Sequence, residues 1–251
     1  MAIFFDEQTW VDIDKYVKQN AAVILPIGTT EEHGRHLPVG TDEIIARGFG
    51  EMLGDACDKA GIPALVMQTI NFGFSMSTVR RWPGCPNVKP RVFEDYVYCV
   101  LESLVEMGFK KIVMLDCHGN HDCLLRMAMR ELADKYDVYT MTLSPGKLAD
   151  EAYQRLHKDP AGDIHGGEVE TSMVLFLRPE LVKTEEYTDI DAVRCNSRLR
   201  GPVSTWGLQD TKTGLYGNPT TACAELGKAM LEQAAEIGAD YIREYRDYQR
   251  A

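Results

Sequence analysis

The chain has 251 residues, 45% of them hydrophobic, and carries a formal net charge of −11. A chain of this length and apolar content can bury one large core. No Pro/Ser-rich linker or charge block divides it, so a single α/β domain over residues 1–251 is expected. The acidic balance disfavours nucleic-acid and anionic-membrane partners, which need a basic face, and no apolar run approaches the ~20 residues of a bilayer span.

The first residues, Met1-Ala2-Ile3-Phe4-Phe5-Asp6, lack a basic region ahead of their apolar patch and do not resemble a secretion signal. Seven cysteines without paired spacing fit a reducing, cytoplasmic setting. In chain order, the apolar run from Ala21 to Ile27 predicts a buried parallel strand ending at Gly28. Helical spacing of Ile44, Ile45, Phe49, Met52 and Leu53 predicts a helix from Asp42 to about Ala60. A second strand is expected over Ala64 to Ile70, then a polar Gly/Pro-containing stretch from Asn71 to Pro90. An amphipathic helix follows over Phe93 to Met107, a strand over Lys111 to Leu115, a helix over Asp122 to Lys135 and a strand over Val138 to Leu143. Val169, Met173, Val174 and Phe176 mark a helix that ends before Pro179, and a long helix is expected from Thr221 to Tyr248. Such alternation predicts a mostly parallel sheet sandwiched by helices on both faces.

Five of the six histidines fall in three short polar motifs. The first is Glu31-Glu32-His33-Gly34-Arg35-His36, followed by Asp42. The second is Asp116-Cys117-His118-Gly119-Asn120-His121-Asp122, and the third is His165-Gly166-Gly167-Glu168-Val169-Glu170. Imidazole and carboxylate together suit Zn²⁺, Mn²⁺ or Fe²⁺. Two of the motifs follow directly on strands, and sheets of this class bind ligands beyond the carboxyl ends of their strands. Taken singly, each residue has a plainer reading: Asp42 as a helix N-cap, His118 as a hydrogen-bonded histidine after a strand. Their coincidence on loops points to a metal site, with two ions, and to a hydrolase. There is no G-x-G-x-x-G, P-loop or Gly-x-Ser-x-Gly pattern to support nucleotide binding or a serine nucleophile.

The segment Pro26-Ile27-Gly28-Thr29-Thr30-Glu31-Glu32-His33-Gly34-Arg35-His36-Leu37-Pro38, with Thr41-Asp42, resembles the opening signature of the creatininase (creatinine amidohydrolase) family. The second and third motifs, and the turn Gly214-Leu215-Tyr216-Gly217-Asn218-Pro219, are similar to later signatures of that family, in order over roughly residues 21 to 225. The resemblance implies a creatininase-like fold and a metal-dependent hydrolase of a small molecule with two divalent ions, zinc first, manganese or iron as alternatives. It implies that Glu31 binds one ion and His33 with His118 the other, with Asp42 bridging. A water shared by such ions loses its proton near neutral pH and attacks a polarised carbonyl. His165 matches the family histidine that passes a proton to the leaving group.

Departures bear on the substrate. Creatinine-cleaving members carry a carboxylate two residues beyond the histidine of the second motif, where this chain has Asn120. Glu170 is the candidate for the missing ligand, or else a partner that orients His165. Glu168 points into the pocket or to solvent, and His121 is a candidate pocket-lining residue. Arg80 and Arg81 stand where the family places an acidic residue and a histidine. They would grip an oxygen-rich or anionic substrate by fork-like hydrogen bonds, or else belong to a solvated turn. The expected chemistry is cleavage of a cyclic amide or formamide, with creatinine itself disfavoured. The alternative is hydrolytic ring opening of an oxidised inositol, and outside catalysis a metal-containing small-molecule sensor. The resemblance also implies a homohexamer, with Trp10, Trp82 and Trp206 in or near loops where aromatics serve interfaces.

Overall fold

The apolar runs pair into a four-stranded parallel sheet, in a computed structural model that describes residues 1–159, 165–189 and 211–247. The strands are β1 (Ala22–Ile27), β2 (Ala64–Val66), β3 (Lys111–Asp116) and β4 (Tyr139–Leu143), in the order β2-β1-β3-β4. The α-helices of the described residues are α1 (Trp10–Lys18), α2 (Thr41–Lys59), α3 (Pro90–Glu106), α4 (Asp122–Lys135), α5 (Pro145–Leu148), α6 (Asp150–Leu156), α7 (Glu168–Leu177) and α8 (Ala224–Asp247), joined by short 3₁₀ turns and loops. Side chains alternate across a strand, so each strand feeds two cores. Ala22, Ile24, Val113 and Leu115 pack with Phe49 and Leu53 of α2, Met173 and Val174 of α7, and Leu226 and Met230 of α8. Val23, Leu25, Ile112 and Met114 pack with Phe93, Val97 and Leu101 of α3 and Leu125, Ala128 and Leu132 of α4. Burial on both faces is why these strands read as continuous apolar runs.

Most expected elements are present within a few residues. The strand expected over Ala64 to Ile70 is the exception. β2 ends at Val66, and pairing resumes only at Ile70, which bridges to Ile27. The carbonyls of Ile24 and Pro26 face β2, accepting from Met67 and Ile70. Proline has no N–H to offer on that same side, so the ladder lacks a donor where β2 breaks off. Helices α1, α5 and α6 are not among the expected elements. α1 has no fully buried residue and is opened by Thr9, whose hydroxyl accepts from the Asp12 N–H. Trp10 at its start is 80% exposed and Trp82 is half-buried, while Trp206 lies outside the described residues. Among the described residues no helix is long and apolar enough to cross a membrane.

The strand order reverses direction at β1 and β3. The chain steps from β1 to β2 on one side, then returns to place β3 on the other. The register sets Ile27 beside Asp116, and the Cys117 N–H continues the ladder to the Ile27 carbonyl. The loops bearing the first two motifs therefore leave the sheet side by side, at the switch point where α/β sheets bind ligands.

Candidate metal centre

Six side chains from the three motifs meet beyond the ends of β1 and β3. Glu31 and His33 lie on the loop after β1, Asp42 in the first turn of α2, His118 after β3, His165 just before α7 and Glu170 within its first turn. All are buried except Glu170, whose side chain is 25% exposed. Two glycines permit this approach. A Cβ on Gly28 would lie 2.6 Å from the carbonyl carbon of Asp42, so only glycine lets the start of α2 lie against the end of β1. Gly166, at φ +66°, would bring a Cβ to 3.0 Å from the His33 carbonyl, and its turn sets His165 against His33 with ring centroids 4.2 Å apart and planes tilted by 33°.

Asp42 stands at the centre. Its Oδ1 is 3.0 Å from His33 Nε2 and its Oδ2 is 2.9 Å from His118 Nδ1. His118 Nδ1 is also 3.5 Å from Glu31 Oε1, and His33 Nε2 is 3.8 Å from Glu170 Oε2. Three donor groups result, Glu31–Asp42–His118, His33–Asp42–Glu170 and Glu31–His33–His165, each with its ligand atoms within 4.8 Å of one another; the first two share Asp42. In the two groups that share Asp42, His118 stands with Glu31 and His33 with Glu170, where the resemblance implies His33 with His118. The N-cap reading of Asp42 fails as well. Gly40 is the N-cap of α2, and the Asp42 carboxylate turns inward.

The outer ring nitrogens fix the tautomers. His33 Nδ1 donates to the Glu31 carbonyl at 3.1 Å, His118 Nε2 to the Phe74 carbonyl at 3.1 Å and His165 Nε2 to the Glu32 carbonyl at 2.6 Å. A carbonyl only accepts, so in the neutral ring each inner nitrogen presents a lone pair to the centre. Glu31 Oε2 and Asp42 Oδ2 are buried without a hydrogen bond, although the latter lies close to His118. Buried carboxylate oxygens left so require compensation. Lone pairs converging from carboxylate and imidazole fit a divalent cation.

Without a cation, protons fill that role. Burial opposes charging of His33, but Asp42, Glu170 and Glu31 outweigh it and hold its pKa well above the usual histidine range. His118 behaves alike: burial is outweighed by Glu31 and Asp42, and its pKa rises to about 9. Asp42 is held below the usual carboxylate range by the facing His33 and His118, against its own burial. His165 is raised, the Glu32 hydrogen bond and the Glu31 charge overcoming burial and the neighbouring His33. His36, pushed down to about 4 by burial and by His33, is neutral and bonds Thr171 Oγ1 at 2.9 Å.

The residues expected to hold substrate are placed differently. His121 is fully buried behind His118, stacked on Phe93 with ring centroids 4.1 Å apart, and its Nε2 accepts the Phe74 N–H at 3.1 Å. Burial drives its pKa well below the usual histidine range, as an accepting nitrogen needs. It steadies the Phe74 carbonyl that orients His118. Glu168, also buried, accepts the backbone N–H groups of Lys158 and Asp159 at 2.8–3.0 Å. Arg80 and Arg81 are exposed on the 3₁₀ turn Val79–Arg81. A cleft of about 260 Å³ reaches the centre elsewhere, its walls including Asp116, His118, Glu170, Ser144 and Lys147. Burial raises Asp116 there to about 6. Neither the Phe74 carbonyl as an acceptor nor the placement of Lys147, on the short helix α5, is legible in the sequence.

Comparison with known proteins assigns the chain to a family. The family model described as Creatininase: Creatinine amidohydrolase matches residues 6–242. The 3-dehydro-scyllo-inosose hydrolase of Thermotoga maritima is 25% identical over 96% of this chain and 83% of its own length. The creatinine amidohydrolase of Pseudomonas putida is 25% identical over 97% of both chains. The mycofactocin precursor peptide peptidase of Mycolicibacterium smegmatis is 26% identical over 89% of this chain and 85% of its own. A solved structure described as Creatininase Mn shares the fold, with a TM-score of 0.82 over 99% of this chain and 100% of that one, at 24% identity. Nearly the whole chain is thus accounted for, and it belongs to the creatininase family of metal-dependent hydrolases.

Proposed function

We propose that this protein hydrolyses the amide bond of a small carbonyl compound at a centre of two divalent ions. Glu31, Asp42 and His118 would hold one ion and His33, Asp42 and Glu170 the other. The observation that carries this reading is the placement of the two Asp42 oxygens, one toward each donor group, at 3.0 and 2.9 Å from the two imidazoles. Bound ions of this kind polarise a carbonyl oxygen and bring the pKa of water down to about 7. The remaining work belongs to the chain. The cleft admits the carbonyl compound between His118 and Glu170 on the inner side and the Ser144–Lys147 segment on the outer side. His165, its Nε2–H held by the Glu32 carbonyl, turns Nδ1 inward, 3.7 Å from Glu31 Oε1. From there it takes up a proton and returns it to the departing nitrogen.

Zinc is the first choice of ion, with manganese and iron suited to the same donors. Elemental analysis and anomalous scattering on loaded protein should find two ions per chain. One ion only, or no metal within ~3 Å of Asp42, would sink the bridging role. A second reading, hydrolytic opening of a carbon–carbon bond beside a ring ketone, is supported by the likeness to the inosose hydrolase. Screening loaded protein against cyclic amides, formamides and oxidised cyclic polyols separates the two. Binding of metal with no turnover on any of them would favour a sensor.

A further inference from the structure

We propose that Lys147 determines substrate choice, its ammonium holding a carboxylate on the substrate at the outer end of the cleft. The inference rests on the hydrolase reading above and deepens it. The inner end of the cleft is formed by His118 and Glu170, so a molecule occupying it lies against the centre. Lys147 is the one lysine or arginine among the described residues lining it. Two arginines were expected to supply this charge, but Arg80 and Arg81 do not line the cleft. On a chain of net charge −11, a carboxylate held at the outer end of the cleft, away from the centre, needs a cation beside it.

The pairing of Lys147 leaves it available. Its Nζ lies 3.1 Å from Asp122 Oδ1, and its side chain is 67% exposed. Asp122 Oδ2 is independently held by Arg126 Nε at 2.9 Å. When Lys147 swings to a ligand, Asp122 keeps a cationic partner and no charge is stranded. Exposed pairs of this type contribute little to stability, so turning one outward costs little. Asp116, Asp122 and Glu170 are the carboxylates of the wall, and Asp122 is the one already neutralised by Lys147 and Arg126.

The test uses the full chain loaded with zinc and two probes differing only in charge, N-acetylglycine and N-acetylglycinamide, with calorimetric titration. Wild type should bind the acid about tenfold more tightly than the amide, as a charge-assisted contact supplies. Lys147→Met should bring the two within about twofold of each other, and Lys147→Arg should keep most of the preference. Equal binding of both probes by wild type, including no binding of either, overturns the proposal. So does a preference that survives Lys147→Met, which would place the carboxylate on the ions. Release of glycine from N-acetylglycine reports on the hydrolase reading separately. A preference dependent on Lys147 with no amide cleaved would retain this assignment and leave the hydrolase reading to be decided by the substrate screen above.

Discussion

At the scale of single residues, the centre is a set of lone pairs aimed inward by hydrogen bonds made on the outside. His165 is the position where two roles compete. It lies within ligand distance of Glu31 and His33, yet it belongs to neither group that shares Asp42. If it carries a proton, His165→Ala should keep its metal and lose roughly 10²–10⁴-fold in turnover. If it is a ligand, metal and activity should fall together. Asp42→Ala is the contrasting variant, since removing the shared carboxylate should empty both groups at once. Metal content by mass spectrometry beside single-turnover rates reads both. An active His165→Ala protein with an unchanged rate would move the proton carrier elsewhere. The ligand types were legible in the sequence, because carboxylates and imidazoles clustered in short loops have few other uses. Their partition was not: residues 31 and 118 meet only because β1 and β3 are neighbours. His121 and Glu168 carry the same functional groups as the ligands, yet burial commits both to backbone N–H groups.

Among elements, α2 and β1 position the centre jointly. Asp42 reaches it because the first turn of α2 presses against Gly28 at the end of β1. A methyl there meets backbone rather than a flexible side chain, so the helix start must move. Gly28→Ala should destabilise the fold by about 1–3 kcal/mol, as overpacking does. It should also weaken metal binding well beyond that general loss, because both Asp42 oxygens shift together. Chemical denaturation and competitive metal titration check the two effects. Native-like metal affinity in Gly28→Ala would show that the helix start tolerates displacement. Most elements were readable because apolar periodicity survives in runs of six or more residues. α1, α5 and α6 were not. α5 and α6 are only 4 and 7 residues long, and α1 packs one half-buried face without a fully buried residue. The shortened β2 was hidden too, since the donor missing for its ladder belongs to Pro26 on a different strand.

For the whole molecule, the buried centre couples folding to protons and to metal. In the metal-free protein the facing carboxylates raise His118 to about 9 and His33 well above its usual value. A histidine raised on folding stabilises the folded state fully below its unfolded pKa of roughly 6.5, and that contribution is lost as pH climbs through the folded value. Asp116 acts in the same sense: raised by burial to about 6, it favours the folded state when protonated. Asp42 has the opposite sign, because its depressed pKa supports folding only above its unfolded value and fails in stronger acid. The metal-free protein should therefore melt at its highest temperature in the mildly acidic range and lose several degrees between pH 6.5 and 9. Metal ions compete with the same protons for the same lone pairs, so their affinity should rise over that interval and their uptake near neutral pH should release protons. Saturating zinc should flatten or invert the pH trend. Scanning calorimetry of the metal-free and loaded forms, with a pH indicator in weak buffer during loading, measures both consequences. A metal-free melting temperature that holds level from pH 6.5 to 9, with no proton released on loading, would mean that the imidazoles are already neutral and that the buried carboxylates draw their compensation from elsewhere.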